Sequence, residues 1–128
     1  MEKRTAPQGA DFGSLTGRRE YIIIYWMYKL VVTEEFDNWI ARVKDRRAVA
    51  VVRNHLDRMA AGNLGVTRQV GGDVYEKKIN YAGGYRLYYF LAIGHLIVLL
   101  CGGTKRTQER DIKMALKLRK EIYDSKAD

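Results

Sequence analysis

The segment Leu96–Leu100 is apolar at every position, with Gly94 just before it and Gly102 and Gly103 soon after it. A strand that buries only one face alternates apolar and polar residues, because successive side chains point to opposite faces of the sheet. A strand without this alternation needs cover on both faces. We therefore predict a central strand over Leu96–Cys101, with a layer of other elements on each face of its sheet.

The residues upstream of this strand show a helical period in two stretches. Thr33 suits an N-cap, and Glu34 and Glu35 follow it in the first turn, where the helix dipole favours acidic side chains. A second helix is predicted over Arg46–Ala60 and ends at Gly62-Asn63. We expect the two helices to form an antiparallel hairpin. Each carries an apolar stripe at helical spacing: Phe36, Trp39, Ile40 and Val43 in the first, and Val49, Val52, Leu56 and Met59 in the second.

The remaining segments have strand character, except for a closing helix. The predicted fold class is therefore α+β: an N-terminal strand and a helical hairpin packed on a mainly antiparallel sheet of four to five strands, followed by a C-terminal helix. The closing helix is predicted to start after Thr107 and to reach about Tyr123. The other predicted strands, separated by glycine-containing turns, are Met27–Val32, Val66–Val70, Val74–Tyr81 and Tyr85–Leu91.

The domain boundaries follow from the same pattern. Residues 1–24 contain the single proline, and the first twenty residues have no hydrophobic periodicity, so we expect an N-terminal extension that is flexible in part. Residues 25–124 form one domain of ordinary size, and residues 125–128 form a tail.

The chain is strongly basic, with 23 Lys and Arg against 15 Asp and Glu and a formal charge of +8. Such an excess favours polyanionic partners, although an acidic protein partner or solubility alone explains it too. Cys101 is the single cysteine and there are two histidines, so we expect no disulfide, no metal site and no cofactor. The apolar run 21–32 is interrupted by Lys29 and is too short to cross a bilayer, which predicts no membrane association. The single cysteine indicates a reducing compartment, and we expect a cytoplasmic location.

The hairpin between the third and fourth strands places polar residues on one face. If Tyr81 and Tyr85 flank its turn, Asn80 opposes Arg86 and Lys78 opposes Tyr88, and we expect this face to be exposed. Cations there would bind phosphates and aromatic rings would stack on bases, which indicates an RNA-binding surface. The opposite face would pack on the helices. The predicted RNA contacts are Asn80, Tyr81, Tyr85, Tyr88, Arg106 and Arg110, and the residues predicted to pack on the helices are Ile79, Leu87, Tyr89 and Leu91.

A second basic segment follows the central strand. Lys105 and Arg106 lie just before a predicted helix N-terminus, whose free N–H groups attract anions. The alternative is that both are ordinary solvated charges beside a helix start.

Several short motifs occur in a defined order and together resemble the RelE/ParE toxin superfamily. The similarity is to its "addiction module killer protein" branch, also described as HigB-like or phage Gp49-like, and it covers about Tyr28 to Asp124. The motifs are Phe36–Trp39, Asp45-Arg-Arg-Ala48, Gly62-Asn63, Tyr81-Ala-Gly-Gly-Tyr-Arg-Leu-Tyr-Tyr89 and Leu100-Cys-Gly-Gly-Thr-Lys-Arg-Thr-Gln-Glu-Arg-Asp-Ile-Lys113.

The resemblance implies a type II toxin that is neutralised by a cognate antitoxin, usually a helix-turn-helix protein in this branch. It would meet operator DNA only through that antitoxin. RelE-like members bind the ribosomal A site and cut mRNA there without a metal. A gyrase inhibitor of the ParE type and a catalytically degenerate toxin that acts only as an antitoxin-binding co-repressor are the alternatives.

The resemblance also assigns candidate catalytic residues. Arg86 matches the family's catalytic arginine, and Lys78 and Lys105 match basic positions on the neighbouring strands. Glu76 stands where RelE has a second lysine, and Asp111 stands where RelE has its catalytic tyrosine. Gln108 and Asp111 are familiar in this branch, so both are candidates for a variant site whose general base is open.

Overall fold

The structure is a computed structural model that describes the backbone of residues 28–127 and the side chains of residues 28–122. A five-stranded sheet lies between a helical hairpin on one face and a C-terminal helix on the other. The elements, in chain order, are β1 (Lys29–Val32), α1 (Glu34–Arg42), α2 (Arg46–Ala60), β2 (Thr67–Gly71), β3 (Val74–Ile79), β4 (Tyr85–Ala92), β5 (Leu96–Thr104), a 3₁₀ turn (Lys105–Thr107) and α3 (Gln108–Ala127).

The sheet has the strand order β1-β5-β4-β3-β2, and β1 pairs in parallel with β5 whereas the other pairs are antiparallel. The predicted α+β fold class is confirmed. The prediction that β5 is an internal strand covered on both faces is also confirmed, because β1 and β4 flank it and the helical hairpin and α3 cover its two faces. Ile97 and Leu99 are fully buried beneath the helical hairpin, and Leu100 is fully buried beneath α3. Each such side chain contributes roughly 1.5–3 kcal/mol of hydrophobic stabilisation.

Side-chain caps fix the helical hairpin. Thr33 has extended backbone angles, and its hydroxyl accepts a hydrogen bond from Phe36 N at 3.0 Å while donating one to the Leu100 carbonyl of β5. Asp45 caps α2 by accepting from Arg47 N at 2.9 Å and from Ala48 N at 3.2 Å. Both caps satisfy N–H groups that the first helical turn leaves without partners.

The β3–β4 hairpin differs in register from the prediction. β3 ends at Ile79, and residues 80–84 form a wide turn in which Ala82, Gly83 and Gly84 all have positive φ. Lys78 therefore pairs with Arg86, and Glu76 pairs with Tyr88. The predicted pairs of Asn80 with Arg86 and of Lys78 with Tyr88 were wrong by two residues. A shift of two preserves which side chains share a face, since side chains alternate with a period of two.

Other boundaries moved as well. β5 extends to Thr104, past its predicted end, and α3 continues to Ala127. Leu91 is 39% exposed and does not join the core under the hairpin, whereas Ile79, Leu87 and Tyr89 do. The predicted extension 1–24 and the start of the predicted first strand at Met27 lie outside the described residues. Within residues 28–127, no helix is both long enough and apolar enough to cross a membrane.

Candidate active site beneath the C-terminal helix

Arg86 lies on β4 between Lys78 of β3 and Gly103 of β5, with its side chain on the face that α3 covers. Only 6% of the residue is exposed. The prediction that this arginine faces solvent was wrong. The physical reason is that Ala115 and Leu118 of α3 pack on the apolar part of the same face, which brings the start of the helix over its polar part.

Glu76 is the centre of a hydrogen-bond network around Arg86, and it is only 4% exposed. Its Oε1 accepts from Arg68 Nε at 2.8 Å. Its Oε2 accepts from Tyr88 Oη at 2.9 Å and from Gln108 Nε2 at 2.8 Å. Arg86 Nε lies 3.7 Å from the same Oε2, within ion-pair distance. The network therefore joins β2, β3, β4 and the first residue of α3.

The network keeps Glu76 charged. Burial acts to raise the pKa of this carboxyl, but hydrogen bonds from Arg68, Gln108 and Tyr88 and the charge of Arg68 outweigh burial and lower the pKa below its usual value. Burial and the neighbouring Glu76 carboxylate raise the pKa of Tyr88 far above that of a free tyrosine. At neutral pH the glutamate is thus a carboxylate and the tyrosine a neutral donor.

Arg86 has hydrogen-bonding capacity that the described residues do not use. Its Nε and Nη1 atoms are buried, and neither forms a hydrogen bond with any residue in the described part of the chain. Leaving donors of a buried charged group unpaired costs free energy, of the order of 1–3 kcal/mol or more. An anionic ligand that accepts from these atoms would recover that cost.

The unpaired side of Arg86 lies beside the β3–β4 turn. A Cβ added to Gly84 would lie 3.4 Å from Arg86 Nη1 and 3.9 Å from Lys78 Cε, so both cationic side chains approach the same side of this glycine. Gly84 has φ +101°, a conformation that L side chains rarely adopt. A side chain at this position would thus contact both cations, of which Lys78 is exposed.

The exit of β5 contributes a second set of polar groups next to Arg86. The Thr107 hydroxyl donates to Asp111 Oδ2, and both groups lie directly against Gly103, the β5 partner of Arg86. A Cβ at this glycine would overlap the carboxylate. Asp111 is 8% exposed, whereas Lys105 is exposed on the 3₁₀ turn.

The structure brings together some of the predicted site residues and separates others. Arg86, Lys78, Gln108 and Asp111 lie on one face, and Lys105 is exposed on the 3₁₀ turn that follows β5. Arg106 and Arg110 are exposed beside it, and Arg110 Nε is 3.9 Å from Asp111 Oδ1.

The tyrosines do not form the predicted RNA-stacking surface. Tyr88 is fully buried, so it has no face available to a base. Tyr85 packs on the opposite side of the sheet, 6.3 Å from Trp39 between ring centroids. Tyr81 stacks on Tyr85 at 6.5 Å, and its hydroxyl donates to Asp45 Oδ2 at 3.4 Å. Asn80 is exposed in the turn after β3.

Sequence reasoning missed the part played by Glu76, Arg68 and Thr107. Glu76 was noted only as a departure from the lysine of RelE. Strand parity puts it on the same face as Lys78 and Arg86, so a carboxylate beside the candidate arginine could have been read from the alternation of β3. The contact from Gln108 was not predictable in this way, because it depends on where α3 docks.

The sequence matches a known protein family and a bacterial protein. Residues 34–120 match the family described as "Phage derived protein Gp49-like (DUF891)". A protein of Haemophilus influenzae described as uncharacterized is 37% identical over 94 residues, which are 73% of this chain and 95% of that protein.

Two solved structures are also similar. A mutant of the E. coli toxin RelE in the free state superposes with a TM-score of 0.55 at 16% identity, covering 71% of this chain and 96% of that one. The RelBE2 toxin–antitoxin complex of Mycobacterium tuberculosis has a TM-score of 0.49 at 19% identity, covering 62% of this chain and 99% of that one.

The fold and the family match define the class of protein as the RelE-like toxin superfamily. Within that class, this chain belongs to the family of phage-derived Gp49-like proteins, since the match spans more than half of its length.

Proposed function

We propose that this protein is the toxin of a type II toxin–antitoxin system and that it is a ribosome-dependent endoribonuclease that cuts mRNA. The observation that carries the proposal is the state of Arg86. It is a buried arginine whose Nε and Nη1 atoms have no hydrogen-bond partner among the described residues, and it lies beside the glycine turn and a second cation, Lys78. A guanidinium with unused donors binds phosphate oxygens through charge-assisted hydrogen bonds.

The reaction is attack of a ribose 2′-hydroxyl on the adjacent phosphorus. The new P–O bond forms a 2′,3′-cyclic phosphate as the bond to the 5′-oxygen breaks. A base takes the proton of the 2′-hydroxyl, and an acid gives a proton to the leaving oxygen. Arg86, with Lys78 beside it, would stabilise the charge that develops on the phosphorane oxygens.

The general base is assigned by substitution. The candidates are Asp111, which lies against Gly103 of β5, Lys78, which approaches Gly84 beside Arg86, and Lys105, which is exposed on the 3₁₀ turn after β5. Replacing the base removes from the pH–rate profile the limb that reports its deprotonation, whereas replacing a phosphate-binding cation lowers the rate and leaves that limb in place. pH–rate profiles of the three alanine variants separate these roles.

The proposed partners follow from the same assignment. The bacterial ribosome would supply and position the mRNA, which compensates for the small binding surface of one domain. A cognate antitoxin of the helix-turn-helix type would neutralise the toxin and would provide its only route to operator DNA. With these partners, the protein would act in the cytoplasm and away from membranes.

Primer extension on a translated message tests the proposal. Expression of the wild-type protein should arrest growth and create new 5′ ends within the message. Arg86→Ala should lower cleavage by about 10²- to 10³-fold, as expected for losing one main charge-stabilising group. Arg86→Lys keeps the charge but not the planar guanidinium, so its cleavage rate should lie between the rates of the wild type and of Arg86→Ala.

The matched control is Arg53→Ala, which removes the same charge from an exposed position on α2. It should cut like the wild type. Growth arrest without new 5′ ends would overturn the nuclease proposal, and inhibition of DNA supercoiling in its place would identify a gyrase inhibitor. A protein that binds its antitoxin but neither arrests growth nor cuts would be a co-repressor alone.

A further inference from the structure

The two carboxylate oxygens of Glu76 accept different numbers of hydrogen bonds. Oε1 accepts one hydrogen bond, from Arg68. Oε2 accepts two, from Tyr88 at 2.9 Å and from Gln108 at 2.8 Å. Arg86 Nε is 3.7 Å from the same oxygen, which is too far for a hydrogen bond.

This spacing is unusual for a buried ion pair. Arginine and a carboxylate that meet without competitors form hydrogen bonds of about 2.7–2.9 Å, often two in parallel. Here the oxygen nearest Arg86 already has two donors, which occupy its lone pairs. The arginine is therefore attracted by the charge of Glu76 while its Nε and Nη1 atoms stay unbonded within the described chain.

We propose that Glu76 is the positioning residue of the site: a counter-ion whose nearer oxygen is occupied by Tyr88 and Gln108, so that it holds Arg86 in place without using the donors that bind a phosphate. This inference rests on the proposed function of Arg86. Glu76 stands where RelE has a lysine. In this proposal it contributes to phosphate binding without touching the substrate.

The proposal predicts that Tyr88 and Gln108 affect phosphate binding through Glu76. Removing either donor frees a lone pair on Oε2, and Arg86 should then move onto the carboxylate and form hydrogen bonds with it. The loss of one polar atom at a position that does not touch the ligand should thus weaken phosphate binding. If the network has only a structural role, removing either donor should lower stability and leave phosphate binding per folded molecule unchanged.

The test is an NMR titration of the full-length protein with inorganic phosphate, which follows the Arg86 Nε–Hε resonance. Arg86→Lys assigns the resonance by removing it. In the wild type, phosphate should shift this resonance in a saturable manner. In Tyr88→Phe and in Gln108→Leu, the resonance should move before any phosphate is added, and phosphate affinity should fall about tenfold, the effect of losing one charge-assisted hydrogen bond.

The matched control is Tyr89→Phe. Tyr89 is the next residue on β4 and is also buried, but its side chain packs on the opposite face, in the core beneath the helical hairpin. The same chemical change there should leave both the Arg86 resonance and phosphate affinity as in the wild type.

Phosphate affinity and the Arg86 resonance together separate the possibilities. The inference is overturned if Tyr88→Phe and Gln108→Leu bind phosphate as tightly as Tyr89→Phe, or if the Arg86 resonance is unchanged in all three. It is supported if affinity falls only in the first two. This readout needs no RNA cleavage. A wild-type protein that binds phosphate as described but cuts no message would therefore refute the proposed function, while the positioning role of Glu76 would still hold.

Discussion

The adjacent glycines Gly102 and Gly103 offer a sharp test of how β5 organises the two faces of the sheet. Their side-chain positions point to opposite faces. A Cβ at Gly103 would overlap the Asp111 carboxylate and would lie 2.8 Å from Thr107 Oγ1, whereas a Cβ at Gly102 would overlap the Trp39 ring. Neither glycine has a positive φ, so the cost of alanine at either position comes from packing alone.

The expected magnitude for Gly103→Ala has two parts. Overpacking costs roughly 1–3 kcal/mol. Displacing Asp111 also breaks its hydrogen bond with Thr107, and hydrogen bonds to charged groups contribute about 1.5–3 kcal/mol. A combined loss of about 3 kcal/mol should lower the Tm by about 12 °C, at about 4 °C per kcal/mol for a domain of this size.

The assay combines thermal unfolding with cleavage measured per folded molecule. Gly103→Ala should lower both, because the start of α3 must shift beside Arg86. Gly102→Ala should lower stability by a similar amount but leave cleavage per folded molecule unchanged, since Trp39 lies on the other face.

A double-mutant cycle tests the assigned contact directly. Asp111→Ala removes the carboxylate that the new Cβ would overlap and leaves Thr107 Oγ1 as the close contact, so Gly103→Ala in that background should cost at least 1 kcal/mol less than in the wild type. Effects that add to within about 0.5 kcal/mol would refute the contact. Equal losses of cleavage in the two glycine variants would refute the separation of the faces.

Three further predictions follow from burial and charge. Leu99→Ala should destabilise the fold by about 2–5 kcal/mol in urea unfolding, whereas Leu91→Ala, at a 39% exposed position, should cost well under half of that; equal costs would contradict the assigned core. The pKa of Glu76 is lowered in the folded state, so its charge stabilises the fold above the usual glutamate pKa, and this contribution is lost as pH falls through the folded value. The stability difference between wild type and Glu76→Gln should therefore shrink below about pH 4.5, and a difference that stays constant would contradict the lowered pKa. Burial raises the pKa of the Cys101 thiol to about 12, so the native protein should not react with a thiol reagent at pH 8 and should react on unfolding.

Most local elements could be predicted from the sequence because their causes are local. The cap at Thr33 bonds a group three residues away, and the cap at Asp45 bonds groups two and three residues away. Alternation along β3 and β4 identified which residues share a face. This assignment stayed correct although the predicted register was wrong by two residues. The register itself was mispredicted because three successive residues with positive φ widen the turn, and Ala82 gives no sequence signal for such a conformation.

The sequence by itself determined the order of the elements, the central position of β5 and the side of the sheet that carries Lys78 and Arg86. These depend on short-range spacing and on an apolar run that has to be buried on both sides. Only the tertiary structure decided that α3 covers Arg86 and that Gln108, 32 residues from Glu76 along the chain, occupies the carboxylate. Such contacts depend on how a helix docks on a sheet, and docking is set by packing across two layers and not by the residues at either end of the bond.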